Sequence, residues 1–411
     1  MLSAATRKLV KDTVPVLKEH GVTLTRHFYQ RMFSHNPELK HLFNQAHQAN
    51  GEQQQALAMA VLAYAENIDD PSVLQPVLMR VAHKHASLGI RAEHYPIVGM
   101  HLLASIREVM GEAASDALID AWAAAYGQLA DMLVDIESDL YREAATAKGG
   151  WSGWRPFRVE RRVQESEEIT SFYLHPVDGA SVPDFLPGQF VSVRGRAGDG
   201  TLIQPRQYSL SDAPNGTYLR LSIKREAGQR DLGGADRPNG VISNWMHDEV
   251  TEGTLIDLSP PFGDFNLHLD RETPVVLISG GVGLTPMISM LNHVIREQPD
   301  RPVVFIHGAR HRGVHALSDH IRDLTERHVQ LDTAIFYELV GPEDRPGVDY
   351  HHVGRIDLTA IRDRVILPEA DYYLCGPVPF MRAKLLELQK LGVPATRIHY
   401  EVFGSSLAAA A

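Results

Sequence analysis

The sequence predicts three consecutive units: an all-α unit, an antiparallel β unit and a parallel α/β unit. Three observations predict it. Apolar residues recur at three- and four-residue spacing through the first 150 residues. Alternation of apolar and polar residues takes over in the middle third. In the last third, short wholly apolar runs alternate with helical stretches, the pattern of a parallel sheet covered on both faces. The length, 411 residues, fits two to four domains of ordinary size.

Taken in order, Ser3 can cap a first helix running towards His20, with Gly21 as its stop. Leu24, Phe28 and Met32 share one face of a second helix, ended by Asn36-Pro37. Leu74, Leu78, Val81, His85 and Leu88 make an apolar stripe, and Ile119, Trp122, Tyr126, Leu129, Leu133, Ile136 and Leu140 make a longer one. Ala144–Gly150 is small and flexible, a linker. Phe157, Val159, Arg161 and Val163 then alternate, as do residues Tyr218–Ile223, after a Pro214-Asn215-Gly216 turn. A sheet or barrel is expected up to about Leu269. Val275–Ile278 and Val303–Ile306 read as buried strands, with helices over Pro286–Ile295 and Leu317–Arg327. No charge falls between Thr273 and Leu291, but Gly280, Gly281, Gly283 and Pro286 in that stretch make it strand, turn and helix rather than a membrane span. The expected units are 1–147, 152–268 and 270–404, with a frayed tail over 405–411.

The composition narrows the function classes. Hydrophobic residues are 44% and charged residues 22%, which excludes disorder as a whole-chain description. The net charge of −11 gives no footprint for nucleic acid. One cysteine, Cys375, cannot make an internal disulfide, and it fits a reducing cytoplasm. The N-terminus is charged within eight residues and lacks the apolar stretch of a signal peptide.

Three constellations carry chemistry. His85 lies on an apolar helical face, either as a hydrogen-bonded core residue or as a metal ligand. Arg206-Gln207-Tyr208-Ser209 follows the apolar strand Phe190–Val193, and Gly240-Val241-Ile242-Ser243 opens a helix over Asn244–His247. An arginine can neutralise a phosphate, and a helix N-terminus offers backbone N–H groups to it. Ser243 is a phosphate contact, a helix cap, or both. Gly280-Gly281-Val282-Gly283-Leu284-Thr285 joins a buried strand to a helix, with Thr285 as N-cap and Pro286 as first helical residue. Cys375-Gly376-Pro377 ends another strand.

Together these segments resemble the bacterial flavohaemoglobins. FYQRMF at Phe28–Phe33, HNPELK at His35–Lys40, AHKHASL at Ala82–Leu88 and AWAAAYGQLA at Ala121–Ala130 resemble their globin domain. The Arg206–Ser209 and Cys375–Pro377 segments and the terminal Tyr400-Glu401-Val402-Phe403-Gly404 resemble their ferredoxin-reductase half. The likeness covers essentially the whole chain. It implies an all-α globin, an antiparallel β-barrel FAD domain and a parallel-sheet α/β NAD(P)-binding domain. It also implies haem b, FAD and NAD(P)H as cofactors.

Site roles follow from the resemblance position by position. His85 matches the proximal iron ligand, and Tyr95 and Glu137 match the pair that hydrogen-bonds its far nitrogen; on the residues alone, Glu137 reads as a solvated helix residue and Tyr95 as a loop-packing ring. Tyr29, Gln53 and Leu57 match the distal positions, and Phe43 the aromatic ring wedged on the haem. Lys84 falls at the haem edge facing the flavin domain, or is a solvated lysine. Phe190 stands where relatives commonly carry tyrosine, so one hydroxyl contact is lost. The loop Ala227–Asn239 before Gly240 is long, and its role is open. Cys375 packs by the nicotinamide or is a buried structural thiol. Phe403 covers the flavin ring, and Val402 replaces a common cysteine.

The implied activity is nitric oxide dioxygenation: NO and O2 are converted to nitrate with electrons from NAD(P)H. Two alternatives stand beside it. One is a haem–flavin reductase of peroxides or O2. The other is a gas-sensing globin, for which no output segment is visible. Expected partners are small molecules, with room for a lipid or azole-like ligand in the distal pocket. Nucleic acid and stable membrane insertion are not expected, and a monomer is. Arg310 and Arg312 are either contacts to a 2′-phosphate or surface charges, so NADH and NADPH are not separated.

Overall fold

A computed structural model of the chain describes residues 2–42, 51–197, 202–228 and 239–403. Phe43, Gly404, most of the loop after Ala227 and the tail lie outside the described residues.

The first unit is helical. Ser3 caps α1 (Ala4–Asp12), its hydroxyl accepting from the Thr6 N–H at 3.0 Å. The helix does not continue to His20. It breaks at Thr13, because Pro15 lacks the N–H that an unbroken helix would need, and α2 (Val14–His35) starts there. Gly21 is not a stop; it is buried inside α2, where an added Cβ would lie 3.5 Å from Ala58. Ala58 lies on α3 (Glu52–Glu66), and at this separation an alanine side chain would also fit. The predicted end of α2 is found, with Asn36 as cap. After α4 (Gln75–Leu88) and α5 (His94–Met110), the long stripe is α6 (Asp116–Thr146), capped by Ser115. Leu24, Phe28, Met32, Leu118 and Trp122 share one apolar core.

The linker differs from expectation. Ala144–Thr146 complete α6, and a Cβ on Gly150 would lie 2.1 Å from the Ala144 carbonyl. Arg155 donates to the Gly149 carbonyl at 3.2 Å. The connection is therefore packed rather than loose.

The second unit is a six-stranded antiparallel sheet of order β4-β3-β6-β1-β2-β5. Its strands are β1 (Arg155–Gln164), β2 (Ile169–Pro176), β3 (Phe190–Ala197), β4 (Leu202–Ser209), β5 (Leu219–Lys224) and β6 (Leu255–Leu258). A bridge between Leu210 and Leu221 joins the two edges, which closes the sheet into a barrel. Alternation in β1 holds for Phe157 and Val159, then fails at a bulge between Val159 and Arg161. Beyond it Arg161 lies over the Tyr173 ring at 3.9 Å. α7 (Val241–Asp248) packs on this barrel, and Ile242 and Met246 enter its core.

The third unit is a six-stranded sheet of order β10-β9-β8-β7-β11-β12, parallel at every pairing. Its strands are β7 (Val275–Gly280), β8 (Val303–Ala309), β9 (Leu331–Tyr337), β10 (His352–Val353), β11 (Asp371–Cys375) and β12 (Ile398–Glu401). α8 (Leu284–Glu297) and α9 (Ser318–Arg327) cover one face, and α10 (Arg362–Val365) and α11 (Val378–Lys390) the other. Strand order reverses between β7 and β11, which puts the topological switch point at their C-terminal ends. Among the described residues no helix is long and apolar enough to cross a membrane.

Candidate active site

α4 positions the first part of the site. His85 Nδ1 lies 2.8 Å from Glu137 Oε1 and 3.1 Å from the Tyr95 hydroxyl, and Tyr95 donates to the same Glu137 oxygen at 2.5 Å. α5 supplies Tyr95 and α6 supplies Glu137, so three helices converge on one nitrogen. Glu137 is 2% exposed. A buried carboxylate accepting both hydrogens fixes the ring tautomer with the proton on Nδ1. Burial, then the bond to Glu137, pushes the Tyr95 phenol far above its usual range, so it remains a donor. Tyr126 donates to the Tyr95 carbonyl at 2.7 Å and fills the space beside Gly99.

Both hydrogen bonds of the His85 ring fall on Nδ1. Nε2 keeps its lone pair, and the side chain is 33% exposed although its helix faces a core. A metal-binding imidazole needs this donor set, and these residues fit a haem iron ligand. On α2, Tyr29 is buried beside Phe28 and Phe33, at ring separations of 4.9 and 5.8 Å. Burial pushes its phenol well up as well. Gln53 and Leu57 sit one turn apart on α3, and Leu57 packs against the cluster holding Tyr29. That cluster and the one beneath His85 meet at Leu74, Tyr126 and Leu129.

The opposite face of α4 docks on the barrel. His83 Nδ1 accepts from the Gly263 N–H at 3.0 Å, Ser87 accepts from Gln207 Nε2 at 2.9 Å, and Arg80 lies 3.5 Å from Asp264. Residues 80, 83, 84 and 87 share one side of the helix, and 78, 81, 85 and 88 the other. Lys84 is on the docking side. Burial lowers its ammonium pKa, and Glu401 of β12 holds it up. Burial and Asp264 raise the Glu401 carboxyl to about 7, against Arg80 and Lys84.

The barrel offers a phosphate cradle. The Arg206 guanidinium bonds the Pro205 carbonyl at 2.8 Å and the Gln204 amide at 2.7 Å, and has no carboxylate partner among the described residues. Burial lowers its pKa. Such an arginine fits a phosphate. Tyr208 and Ser209 follow on β4, and Phe190 pairs with Ser209 across the sheet. Gly240 is the N-cap of α7, which starts at Val241 rather than Asn244. Ser243 is not the cap: its hydroxyl accepts from the Glu226 N–H and donates to the Gly240 carbonyl, both at 3.2 Å. A Cβ on Gly240 would lie 2.5 Å from Ser243 Oγ, so only glycine leaves this turn open.

The switch point of the parallel sheet holds the third part. Gly281 takes φ +55°, and a Cβ on Gly283 would lie 2.3 Å from the Cys375 carbonyl. The glycine turn and Cys375-Gly376-Pro377 therefore meet backbone to backbone, the approach a dinucleotide phosphate needs. The predicted cap is wrong here. α8 begins at Leu284 with Gly283 as N-cap, and Thr285 donates to the Val282 carbonyl at 3.0 Å, because a tight turn over Gly281–Gly283 brings that carbonyl within reach. Cys375 is fully buried, and burial followed by Glu401 pushes its thiol well up. Val402 packs on the sheet core, whereas Phe403 is 42% exposed. Arg310 pairs with Glu168 of the barrel unit and Arg312 lies 3.9 Å from Asp349. Both side chains are about half exposed, at 52% and 50%, so they are surface charges that also have an ion-pair partner.

Sequence reading missed His83, Ser87, Arg80, Asp264 and Glu401 as contacts between units. The first three were visible as a second polar stripe on α4. Asp264 and Glu401 carried no such signal.

Comparison with known proteins agrees with this architecture. Residues 26–133 match the Globin family and residues 277–385 the family described as Oxidoreductase NAD-binding domain. Flavohemoprotein of Bordetella parapertussis is 60% identical over 98% of this chain and 99% of its own. That of Rhizobium meliloti is 51% identical over 99% of each. The flavohemoglobin of Malassezia yamatoensis, solved with bound FAD and heme, superposes with a TM-score of 0.83 at 29% identity, over 98% of this chain and 100% of that one. The FAD/NAD binding domain of nitric oxide dioxygenase from Vibrio cholerae matches at 36% identity and a TM-score of 0.52, over 61% of this chain and 98% of that one. Matched from end to end, with helical, barrel and parallel-sheet units in sequence, the chain belongs to the flavohemoprotein family.

Proposed function

We propose that this chain is an NAD(P)H-driven nitric oxide dioxygenase with three working units, residues 1–147, 152–268 and 270–404. One observation carries the reading. α4 holds a carboxylate-bonded histidine on one face and docks on the barrel with the other. An oxygen-storage globin has no use for that second face.

When bound, NAD(P)H supplies hydride, FAD splits it into single electrons, and haem iron is the one-electron centre at which NO and O2 are converted to nitrate. The chain's own residues do the rest. His85 would hold iron through Nε2, and Glu137 with Tyr95 orients the ring and raises its basicity. Tyr29, kept protonated by burial, would donate a hydrogen bond on the distal side with Gln53, and Leu57 would exclude water. Arg206, Tyr208 and Ser209 with Phe190 and the Gly240–Ser243 backbone would hold FAD. The Gly280–Thr285 turn and Cys375–Pro377 would hold the nicotinamide cofactor, and Val402-Phe403 would lie towards the flavin. Lys84 and Glu401 bring opposite charges together where the units meet.

NO consumption by haem- and FAD-loaded protein, started with NADH in air-saturated buffer, tests the reading. Many turnovers with nitrate equal to NO lost are expected. A reducible haem and flavin without NO turnover would refute it in favour of peroxide or O2 reduction.

A further inference from the structure

A second constellation lies away from those three sites. His268 stands on the segment leaving the barrel, Asp371 opens β11, and His399 lies on β12. Their ligand-capable atoms all lie within 4.8 Å of one another. His399 Nε2 is 3.4 Å from Asp371 Oδ1, and His268 Nδ1 is 3.9 Å from Asp371 Oδ2. The two rings meet edge to face at 4.6 Å.

The placement is rigid. Tyr373 pairs with His399 in the β11–β12 register, and its ring stacks on the imidazole at 4.8 Å. Its hydroxyl also accepts the His268 backbone N–H at 2.9 Å, so one side chain sets both histidines. Asp371, two residues before Tyr373, projects on the same face and is fully buried. His268 Nδ1 is a buried nitrogen without a hydrogen-bond partner. A cavity of about 180 Å³ adjoins the pair, lined also by Arg80, Asp264, Asn266 and Tyr400.

We infer that His268, Asp371 and His399 form a binding site for a divalent transition-metal ion of the zinc class. Two imidazoles and a carboxylate are a common zinc donor set, and three protein ligands leave a fourth position open to the cavity. Ligands about 2.0–2.2 Å from such an ion lie roughly 3.4 Å apart, so the trio must close by about 1 Å. One group competes. Arg271 Nη1 bonds both Asp371 oxygens at 2.7 and 2.8 Å. Its side chain is 40% exposed and can turn to solvent when a dication takes Asp371. The ion would clamp the exit of the barrel to the strand that runs into Tyr400–Phe403.

Calorimetric titration of the chelator-dialysed, cofactor-loaded chain with Zn²⁺ tests this. One ion per chain is expected with a dissociation constant below about 10 µM, or roughly 7 kcal/mol of binding free energy. X-ray absorption at the zinc edge should show two imidazoles, and the haem iron does not interfere. H268Q and H399Q should each weaken binding at least tenfold, with haem and flavin spectra unchanged as evidence of folding. R271Q should strengthen it, because the competing cation is gone. Absence of binding in this range, or binding at surface histidines that survives both histidine variants, overturns the site. Weaker binding in R271Q overturns Asp371 as a ligand.

Discussion

Acid should loosen the parallel-sheet unit. His315 is 3% exposed, packs against His307 at 4.9 Å and bonds the Tyr337 hydroxyl through Nδ1. Burial lowers its pKa from 6.5 to about 4, only partly offset by Asp319 and Asp349. His307, fully buried on β8, is lowered in the same direction. An imidazole harder to protonate in the folded state than in the unfolded one adds stability fully present above pH 6.5. That stability drains as pH falls from 6.5 towards about 4. For His315 alone the loss at pH 5 is about 2 kcal/mol, or roughly 30-fold in the opening equilibrium. Hydrogen exchange read on peptides from β8 and β9, corrected for intrinsic pH dependence, measures this locally. Protection should fall at least that much between pH 7.5 and 5, more if His307 adds its share. H315Q should lose the roughly 30-fold share that His315 contributes and keep whatever His307 adds. Equal pH dependence in H315Q and the native chain would refute the reasoning.

Four further outcomes follow from the site. E137Q removes the charge that polarises His85 and should lower NO turnover about 10- to 100-fold, with haem content unchanged. Y29F removes one distal donor. At about 1–3 kcal/mol, stopped-flow traces should show NO turnover slowed roughly 5- to 150-fold. R206Q gives up a charge-assisted contact of about 1.5–3 kcal/mol and should release flavin roughly 10- to 150-fold more readily, seen as fluorescence on dilution. G283A forces a Cβ to 2.3 Å from the Cys375 carbonyl and should abolish NADH-driven flavin reduction while dithionite still reduces the flavin.

The period of the apolar residues made most of this architecture legible. Residues at 3.6 spacing become α4 and α6, and wholly apolar runs become β7 and β8, because burial on one face or on two leaves a different sequence trace. Local competition was harder to read. Whether Gly21 ends a helix or lies buried inside one depends on the neighbour it packs against, which the local sequence does not bring near. Thr285 fails as a cap because a turn two residues earlier moves a carbonyl under it. Contacts between units left almost no trace. Arg310 finds Glu168, and His268 finds His399, only after two independently patterned domains have docked.

The two-sided helix α4 has a mechanical consequence. Successive residues are turned by about 100° around a helix axis, so slipping its register by one position would swing both polar sets off target together. The imidazole would leave Glu137, and His83 and Ser87 would leave Gly263 and Gln207. Neither half can be tuned by sliding or rotating this segment without detuning the other. The helix thus behaves as a common axle, and a graft of either domain onto a foreign partner must carry all of it.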